Sequence, residues 1–273
     1  MANSISFASW NVEHFHGKKQ RIARVVDFIK TKGPDIFGLY EVKGKTVFSQ
    51  LTETMPNYNF FITERDDESS MEIMVGWKKQ HSVFVTQRDE FRSKVPTLRP
   101  GTMATLIKDG KRYVFLFLHL KSFDDPRSFG LRDDMFLHCA SLRRALNNAG
   151  PANNKARLII LGDLNTMGLD VKYSSKSDLN QDDEISILDR RMSRAGMRRA
   201  QKTHELSWWN GSPNYAPGSK LDHVIIDKDL ELQSIGDDEI EVLGWPQEDT
   251  VTKQKQWINK FSDHAMLFGR IKI

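Results

Sequence analysis

Polar side chains that can bind cations or move protons follow several apolar stretches of this chain. The stretch RLIILGDLNTMG is the clearest example, because a run of apolar residues leads directly into Asp163 and Asn165, with Gly162 and Gly168 on either side. Residues two apart on an extended chain point to the same side, so this pair would face one small volume. An aspartate beside a glycine is usually a turn residue, and this stretch alone does not distinguish a turn from a site.

Other strand ends along the chain carry residues of the same chemical kind. Each lies beside a run of apolar residues, and the strand ends of α/β folds open onto crevices where ligands bind. If these ends converge, the crevice holds carboxylates, amides and imidazoles: Glu41, Asp163, Asp222, Asp263, Asn11, Asn165, His119 and His264.

This set of side chains indicates a hard divalent cation combined with proton transfer. Several oxygen ligands and few nitrogens suit Mg²⁺ or Mn²⁺, and Mg²⁺ binds through one or two carboxylates and keeps waters for a substrate phosphate. A zinc site would depend on histidine and carboxylate ligands, because the chain has a single cysteine, Cys139. Two histidines, each with a carboxylate within the set, suit general acid–base chemistry near neutral pH.

Alternating strands and helices must position these residues. Asp109 and Gly110 predict the turn of a hairpin whose second strand ends at His119. Many strands with hairpins and few helices favour mixed sheets covered by helices over a single parallel sheet. Apolar residues at helical spacing predict helices over residues 18–33, 131–150 and 182–196.

Six short motifs at these strand ends resemble, in their order, those of the endonuclease/exonuclease/phosphatase superfamily, which includes deoxyribonuclease I. They are SWNVEHF, LYEVK, FLHLKSF, GDLNTMG, KLDHVIID and SDHAML, and the resemblance spans Ser9 to Ile273. It implies an α/β (α+β) fold, a four-layer sandwich of two mixed β-sheets packed face to face with helices outside. We expect a single domain over residues 1–273, with the active site at one end of the sandwich.

The resemblance also implies roles for individual residues. Glu41 matches the principal metal ligand, and Asn11 and Asp263 match residues that help to hold a Mg²⁺ or Mn²⁺ ion. The catalytic residues that it implies are His119, Glu72, Asp163, Asn165, Asp222 and His264.

Within that catalytic set, Asn165 would hold the scissile phosphate, and Glu72 would orient His119, a candidate general acid. His264, oriented by Asp222, or else Asp163, would activate the attacking water, and the sequence leaves these two bases open.

The implied reaction is metal-assisted hydrolysis of a phosphate ester, and we expect a DNA endonuclease. The net charge of +4 and the pI of about 9.0 favour an anionic partner such as nucleic acid. Nucleic acid is also favoured by two tryptophans that could stack on a base, Trp208 and Trp209. It is favoured further by a basic segment in which Arg190, Arg194 and Arg198 would share a helical face. The alternative is a phosphatase or phospholipase C-type hydrolase acting on a phosphoinositide, sphingomyelin or a sugar phosphate.

The same features lead to an expectation about location and assembly. A basic segment followed by an apolar run is lacking at the start of the sequence, and no apolar run is long enough to span a membrane. One cysteine excludes an internal disulfide and fits a reducing compartment. We therefore expect a cytoplasmic monomer without a transmembrane segment.

Overall fold

The computed structural model describes residues 4–64, 71–150 and 155–273, and it arranges them as two β-sheets with helices on their outer faces. In chain order the strands are β1 (Ser4–Phe15), β2 (Ile36–Val42), β3 (Tyr58–Ile62), β4 (Glu72–Lys78), β5 (Ser82–Arg88), β6 (Gly101–Lys108), β7 (Lys111–His119), β8 (Arg157–Asp163), β9 (Met197–Arg199), β10 (Asp222–Asp227), β11 (Ile240–Leu243) and β12 (Met266–Lys272). The helices are α1 (Lys19–Lys32), α2 (Lys45–Thr54), α3 (Pro126–Ala149), α4 (Gln181–Arg194) and α5 (Val251–Lys260).

Three of these helices were predicted from apolar spacing, and their existence is confirmed. α3 begins five residues earlier than predicted, because Pro126 occupies its first turn and the Asp125 side chain accepts hydrogen bonds from the backbone of Arg127 and Ser128. α2 and α5 were not predicted; in α5 only Trp257 and Ile258 are buried, too few to produce a clear helical period. Within the described ranges, no helix is long and apolar enough to cross a bilayer.

Both sheets are mixed, as the sequence pattern predicts. The first has the order β11-β12-β1-β2-β4-β3 and the second the order β5-β6-β7-β8-β10-β9. Parallel pairs form between β1 and β2 and between β7 and β8, while the neighbouring pairs are antiparallel. The predicted hairpin is confirmed: β6 and β7 meet at Asp109 and Gly110, both with positive φ.

Alternation of side chains along β7 and β8 produces the layers. Successive residues of a strand point to opposite faces, so one set fills the space between the sheets and the other packs under α3 and α4. The residues between the sheets include Phe115, Phe117, Ile159 and Leu161, and those under the helices include Val114, Leu116, Leu118, Leu158 and Ile160. On the far side, Trp10 of β1 packs against Phe28 of α1 and Trp257 of α5. The four-layer sandwich is therefore confirmed.

Asp35 stabilises the end of the first sheet that lies opposite Glu41 along β2. Burial raises the pKa of its carboxyl, but hydrogen bonds from His81, Ser6 and Lys78 outweigh burial and hold that pKa at about 2. The fold thus stabilises the ionised form of the Asp35 carboxyl.

We expect acid to weaken the fold through Asp35. Because the pKa of Asp35 in the folded state lies below its ordinary value, Asp35 contributes fully to the free energy of unfolding at neutral pH. This contribution is lost as the pH falls from about 4 toward about 2. Asp35→Asn should lower the free energy of unfolding by about 2 kcal/mol at pH 7, and this difference from wild type should shrink below about pH 4. Urea unfolding at several pH values measures it, with the exposed Asp237→Asn as control. A difference that stays constant with pH would contradict the prediction.

Candidate active site

Asp163 lies where residues from both sheets meet at one end of the sandwich. In the second sheet it is in register with His119 of β7 on one side and Asp222 of β10 on the other. Its Oδ2 atom faces three nitrogen atoms: Nδ2 of Asn11 at 3.0 Å, Nε2 of His119 at 3.4 Å and Nε2 of His264 at 3.7 Å. The structure thus brings three predicted residues around one carboxylate oxygen of a fourth.

Glu41 and Asn11 come from the neighbouring ends of β2 and β1 in the first sheet. Nδ2 of Asn11 donates to Oε1 of Glu41 at 3.2 Å as well as to Asp163, so one amide joins two carboxylates. The other oxygen of Glu41 accepts from the backbone N–H of His14 at 2.9 Å. Burial alone would raise the pKa of Glu41, but these hydrogen bonds hold it below its ordinary value. Glu41 has a φ of 62° and lies at an irregularity in the pairing of β2, which resumes in a shifted register at Val42.

Asp222 fixes the orientation of His264. Its Oδ2 atom lies 2.8 Å from Nδ1 of the imidazole, which leaves Nε2 directed toward Asp163. Burial favours the neutral ring, but the charges of Asp222 and Asp163 outweigh it and raise the pKa of His264 well above its ordinary value. The imidazole is therefore held in its protonated form by the carboxylates around it.

His119 has the opposite electrostatic environment. Its ring is buried, and burial together with the positive charges of Arg99 and His264 lowers its pKa well below the ordinary value. Its Nε2 atom faces Asp163 and, at 3.9 Å, Glu41. The site therefore combines a neutral imidazole with a protonated one, a pairing that suits transfer of a single proton.

Burial also governs the carboxyl of Asp163. Removal from water raises its pKa to about 7, with Asp222 and Glu41 adding to the shift and His264 and Asn11 opposing it. Several carboxylates thus share one small buried volume, an arrangement that costs free energy unless a cation neutralises them.

Asn165 reaches the site by a different route from the one that its spacing suggests. β8 ends at Asp163, and Asn165 has a left-handed backbone with a φ of 51°, so the argument from an extended chain was wrong. Its backbone N–H donates to Oδ1 of Asp163 at 3.1 Å, and its side chain donates to the carbonyl of Leu120, also at 3.1 Å. This turn ties the loops that follow β7 and β8 to each other.

Asp263 lies at the rim of the site. Its Oδ2 atom accepts a hydrogen bond of 2.8 Å from the indole of Trp208, which packs edge to face on Tyr215. Trp209 is instead buried against Trp245. Of the two adjacent tryptophans, one therefore packs in the core and the other holds a rim carboxylate.

Glu72 is buried at the start of β4, where a carboxylate oxygen accepts a hydrogen bond from the hydroxyl of Thr63. The Nδ1 atom of His119 has no hydrogen-bond partner in the part of the chain that is described. An orienting contact from Glu72 to His119 stays a prediction.

The three arginines of the basic segment do not share a helical face. α4 ends at Arg194, and Gly196 has a φ of 77°, which takes the chain out of the helix. Arg198 then lies on β9 and pairs with Glu239. The prediction of a basic helical stripe was wrong because the helix ends before its third member.

The donor atoms at this end of the sandwich fit a hard divalent cation. Oε1 of Glu41 and Oδ2 of Asp163 both lie within 3.2 Å of the same amide nitrogen, and Oδ1 of Asp222 is buried without a hydrogen-bond partner among the described residues. One ligand atom each from Asp163, Asp222 and His264 also lies within 4.8 Å of the other two. Since His264 already binds Asp222 and is protonated, the carboxylates are the better ligands.

Several residues that support the site were not found from the sequence. Ser262 donates to the carbonyl of Asn11 and accepts from the backbone of His264, and Ser207 accepts from the backbone of Asp222. Only Ser262 had a signal, its position directly before Asp263. A serine on a distant loop, such as Ser207, carries no pattern that connects it with β10.

Comparisons with known proteins concern the family and the fold of the chain. The model of the Endonuclease/Exonuclease/phosphatase family matches residues 8–264. Truncated TDP2 of Caenorhabditis elegans is similar in structure, with a TM-score of 0.67 and 17% identity over 99% of this chain and 98% of that chain. TDP2 of D. rerio complexed with single-strand DNA product has a TM-score of 0.67 and 15% identity over 99% of each chain.

A mannosyl-6-phosphatase of Bacteroides thetaiotaomicron is also similar, with a TM-score of 0.66 and 14% identity over 99% of this chain and 100% of that chain. No curated protein matches the chain by sequence. The family match covers nearly the whole length and includes every strand end described above, so the chain belongs to the Endonuclease/Exonuclease/phosphatase family and is a phosphoric ester hydrolase.

Proposed function

We propose that this protein is a Mg²⁺-dependent phosphodiesterase that cleaves nucleic acid, and specifically a DNA endonuclease. The observation that carries the proposal is the convergence of Asn11, His119 and His264 on one oxygen of Asp163. Nitrogen donors arranged around a carboxylate can hold a phosphate oxygen beside an activated water.

Glu41 is the proposed principal ligand of the cation, and Asn11 and Asp263 are proposed to help to hold it. Asn11 orients the ligand, because its amide already donates to Glu41 and its own oxygen accepts from the backbone of Glu13 at 3.0 Å. When bound, Mg²⁺ supplies polarisation of the phosphoryl oxygen and neutralises charge that develops during hydrolysis. Mn²⁺ has the same preference for oxygen ligands and is the expected substitute.

The remaining groups divide the work of proton transfer and phosphate binding. Asp163 and His264 lie 3.7 Å apart beside the volume in which a water would attack. Asp163 can receive the proton of that water directly, whereas His264 can do so only in its neutral form, after giving up the proton that the surrounding carboxylates favour. Neutral His119 can hydrogen-bond a phosphate oxygen through Nε2, and Asn165 is held beside it through its contact with Leu120. Asp222 positions His264 without reaching the substrate.

A nucleic acid substrate is supported by charge and by one structural neighbour. The net charge is +4, and D. rerio TDP2 was crystallised with a single-strand DNA product. The sugar phosphatase has nearly the same TM-score, so the shared fold does not choose between a phosphodiester and a phosphomonoester.

The free cysteine, buried in α3, supports a reducing location such as the cytoplasm.

We expect the purified protein to nick or linearise supercoiled plasmid with Mg²⁺ and to lose this activity with EDTA. A panel of mannose 6-phosphate, a phosphoinositide and sphingomyelin under the same conditions tests the alternative substrates. Gel electrophoresis and phosphate release measure the two arms. Rapid turnover of one of these compounds beside an uncut plasmid would reject the nuclease and support the alternative.

A further inference from the structure

Phe123, four residues after His119, is held in an unfavourable backbone conformation. Its backbone has a φ of 79°, a region that non-glycine residues rarely adopt, and its side chain is 60% exposed. Neither packing in the core nor backbone preference accounts for a phenylalanine in this state. Strain of this kind concentrates at sites where a side chain is presented to a ligand.

A fully buried ion pair keeps the backbone of Phe123 in place. Arg132 of α3 donates to the carbonyls of Lys121 and Phe123, at 3.1 and 2.5 Å, and to the carbonyl of Gly168 at 2.9 Å. Glu184 of α4 pairs with Arg132 through both carboxylate oxygens, and one of these also accepts from the N–H of Gly168. The pair therefore fastens the loop after β7 to the loop after β8.

The backbone of Phe123 lies near the segment that carries Asn165. Leu120, whose carbonyl accepts from Asn165, is three residues before Phe123, so their Cα atoms are no more than about 11 Å apart. The N–H of Phe123 lies 3.1 Å from the sulfur of Met167, two residues after Asn165. The exposed ring of Phe123 thus belongs to a loop that contacts the loop of Asn165.

Lys121 adds positive charge to this surface. Its Nζ atom lies 4.6 Å from the centroid of the Phe123 ring, within the range of a cation–π contact. Partial burial lowers the pKa of Lys121, and nearby Arg99 and Arg127 add to this effect, whereas Asp125 opposes it. An exposed aromatic ring can stack on a nucleobase, and clustered cations beside it can bind the phosphate of the same strand.

We propose that Phe123 is a stacking platform for a nucleobase next to the scissile phosphate, and that Lys121 binds a neighbouring phosphate. The inference rests on the proposed function and names the part of the substrate that is recognised. The proposal commits to a planar nucleobase as the group that stacks on the Phe123 ring. A carbohydrate or lipid substrate would have no such base to place there.

Binding of fluorescein-labelled oligonucleotides tests this platform without cleavage. Asp163→Asn protein is titrated in Mg²⁺ with an octathymidylate and with an octamer of abasic residues that has the same phosphates but no bases. Adding Phe123→Leu should weaken binding of octathymidylate about tenfold and leave binding of the abasic octamer unchanged, because only stacking is lost. Phe123→Trp should restore binding, and Lys121→Met should weaken binding of both oligomers.

The matched control is Phe84→Leu on β5, which removes a phenylalanine that is 68% exposed on another part of the surface. It should leave both affinities unchanged, and thermal unfolding checks that each variant is folded. Equal weakening of both oligomers by Phe123→Leu, or no weakening, would overturn the platform. Base-dependent binding that needs Phe123, with no cleavage by wild type, would instead reject the nuclease and keep the platform. Failure of wild type and Asp163→Asn protein to bind either oligomer would overturn the platform, and the plasmid assay then decides separately whether the protein is a nuclease.

Discussion

Asp163→Asn should reduce divalent-dependent hydrolysis at least about a hundredfold while the protein stays folded. The substitution keeps the volume of the side chain and removes the negative charge on which Asn11, His119 and His264 converge. It also removes a buried carboxylate that lies close to Asp222 and Glu41, so we expect no loss of thermal stability. A structural residue would instead lose stability and activity together.

Turnover of plasmid in Mg²⁺ and thermal unfolding measure the two parts of this prediction. Asp237→Asn, the same exchange at an exposed position, serves as the control and should leave both unchanged. Glu41→Ala and His264→Ala should also abolish divalent-dependent activity in a folded protein. Full activity in a folded Asp163→Asn or Asp163→Ala variant would remove the basis of the proposed site.

Gly162→Ala should destabilise the fold by about 3 kcal/mol or more. Gly162 has a φ of 153°, and a Cβ atom at this position would lie 1.8 Å from the carbonyl oxygen of Leu118. Leu118 is its partner in the parallel pair of β7 and β8, so the clash falls on backbone that cannot move without separating the two strands. Because His119 and Asp163 follow directly, separation of these strands also displaces the site.

Gly130→Ala is the matched control for this substitution. Gly130 lies within α3 with nothing within 4 Å of its Cβ position, so alanine there should leave the fold unchanged or stabilise it by up to about 1 kcal/mol. Urea unfolding compares the two variants with wild type. A Gly162→Ala protein as stable as wild type would contradict the close approach of β7 and β8.

Local patterns in the sequence were sufficient for most of the elements that carry the site. Apolar spacing located α1 and α4 to within two residues, and the turn at Asp109 and Gly110 located the hairpin that ends at His119. These signals are local because a strand or helix buries one face, and apolar residues therefore recur at a fixed spacing within a short stretch of sequence. The strand ends, and with them Asp163 and Asp222, follow from the same patterns.

Contacts between distant segments were decided only by the tertiary structure. No local pattern connects Ser207 with Asp222, Arg132 with Glu184, or Trp208 with Asp263. Each pair joins segments whose separation along the chain is set by loops rather than by a period.

The amino-acid sequence by itself determined every strand except β9, together with the polar residues at the strand ends, since burial imposes a repeat on neighbouring residues. Only the tertiary structure decided that both sheets end at the same place, that Asn165 turns left-handed to meet Leu120, and that Phe123 is held exposed. The physical reason is that these arrangements depend on close packing and hydrogen bonds between segments far apart in the chain. The conformational preferences of the single residues oppose these arrangements rather than predict them.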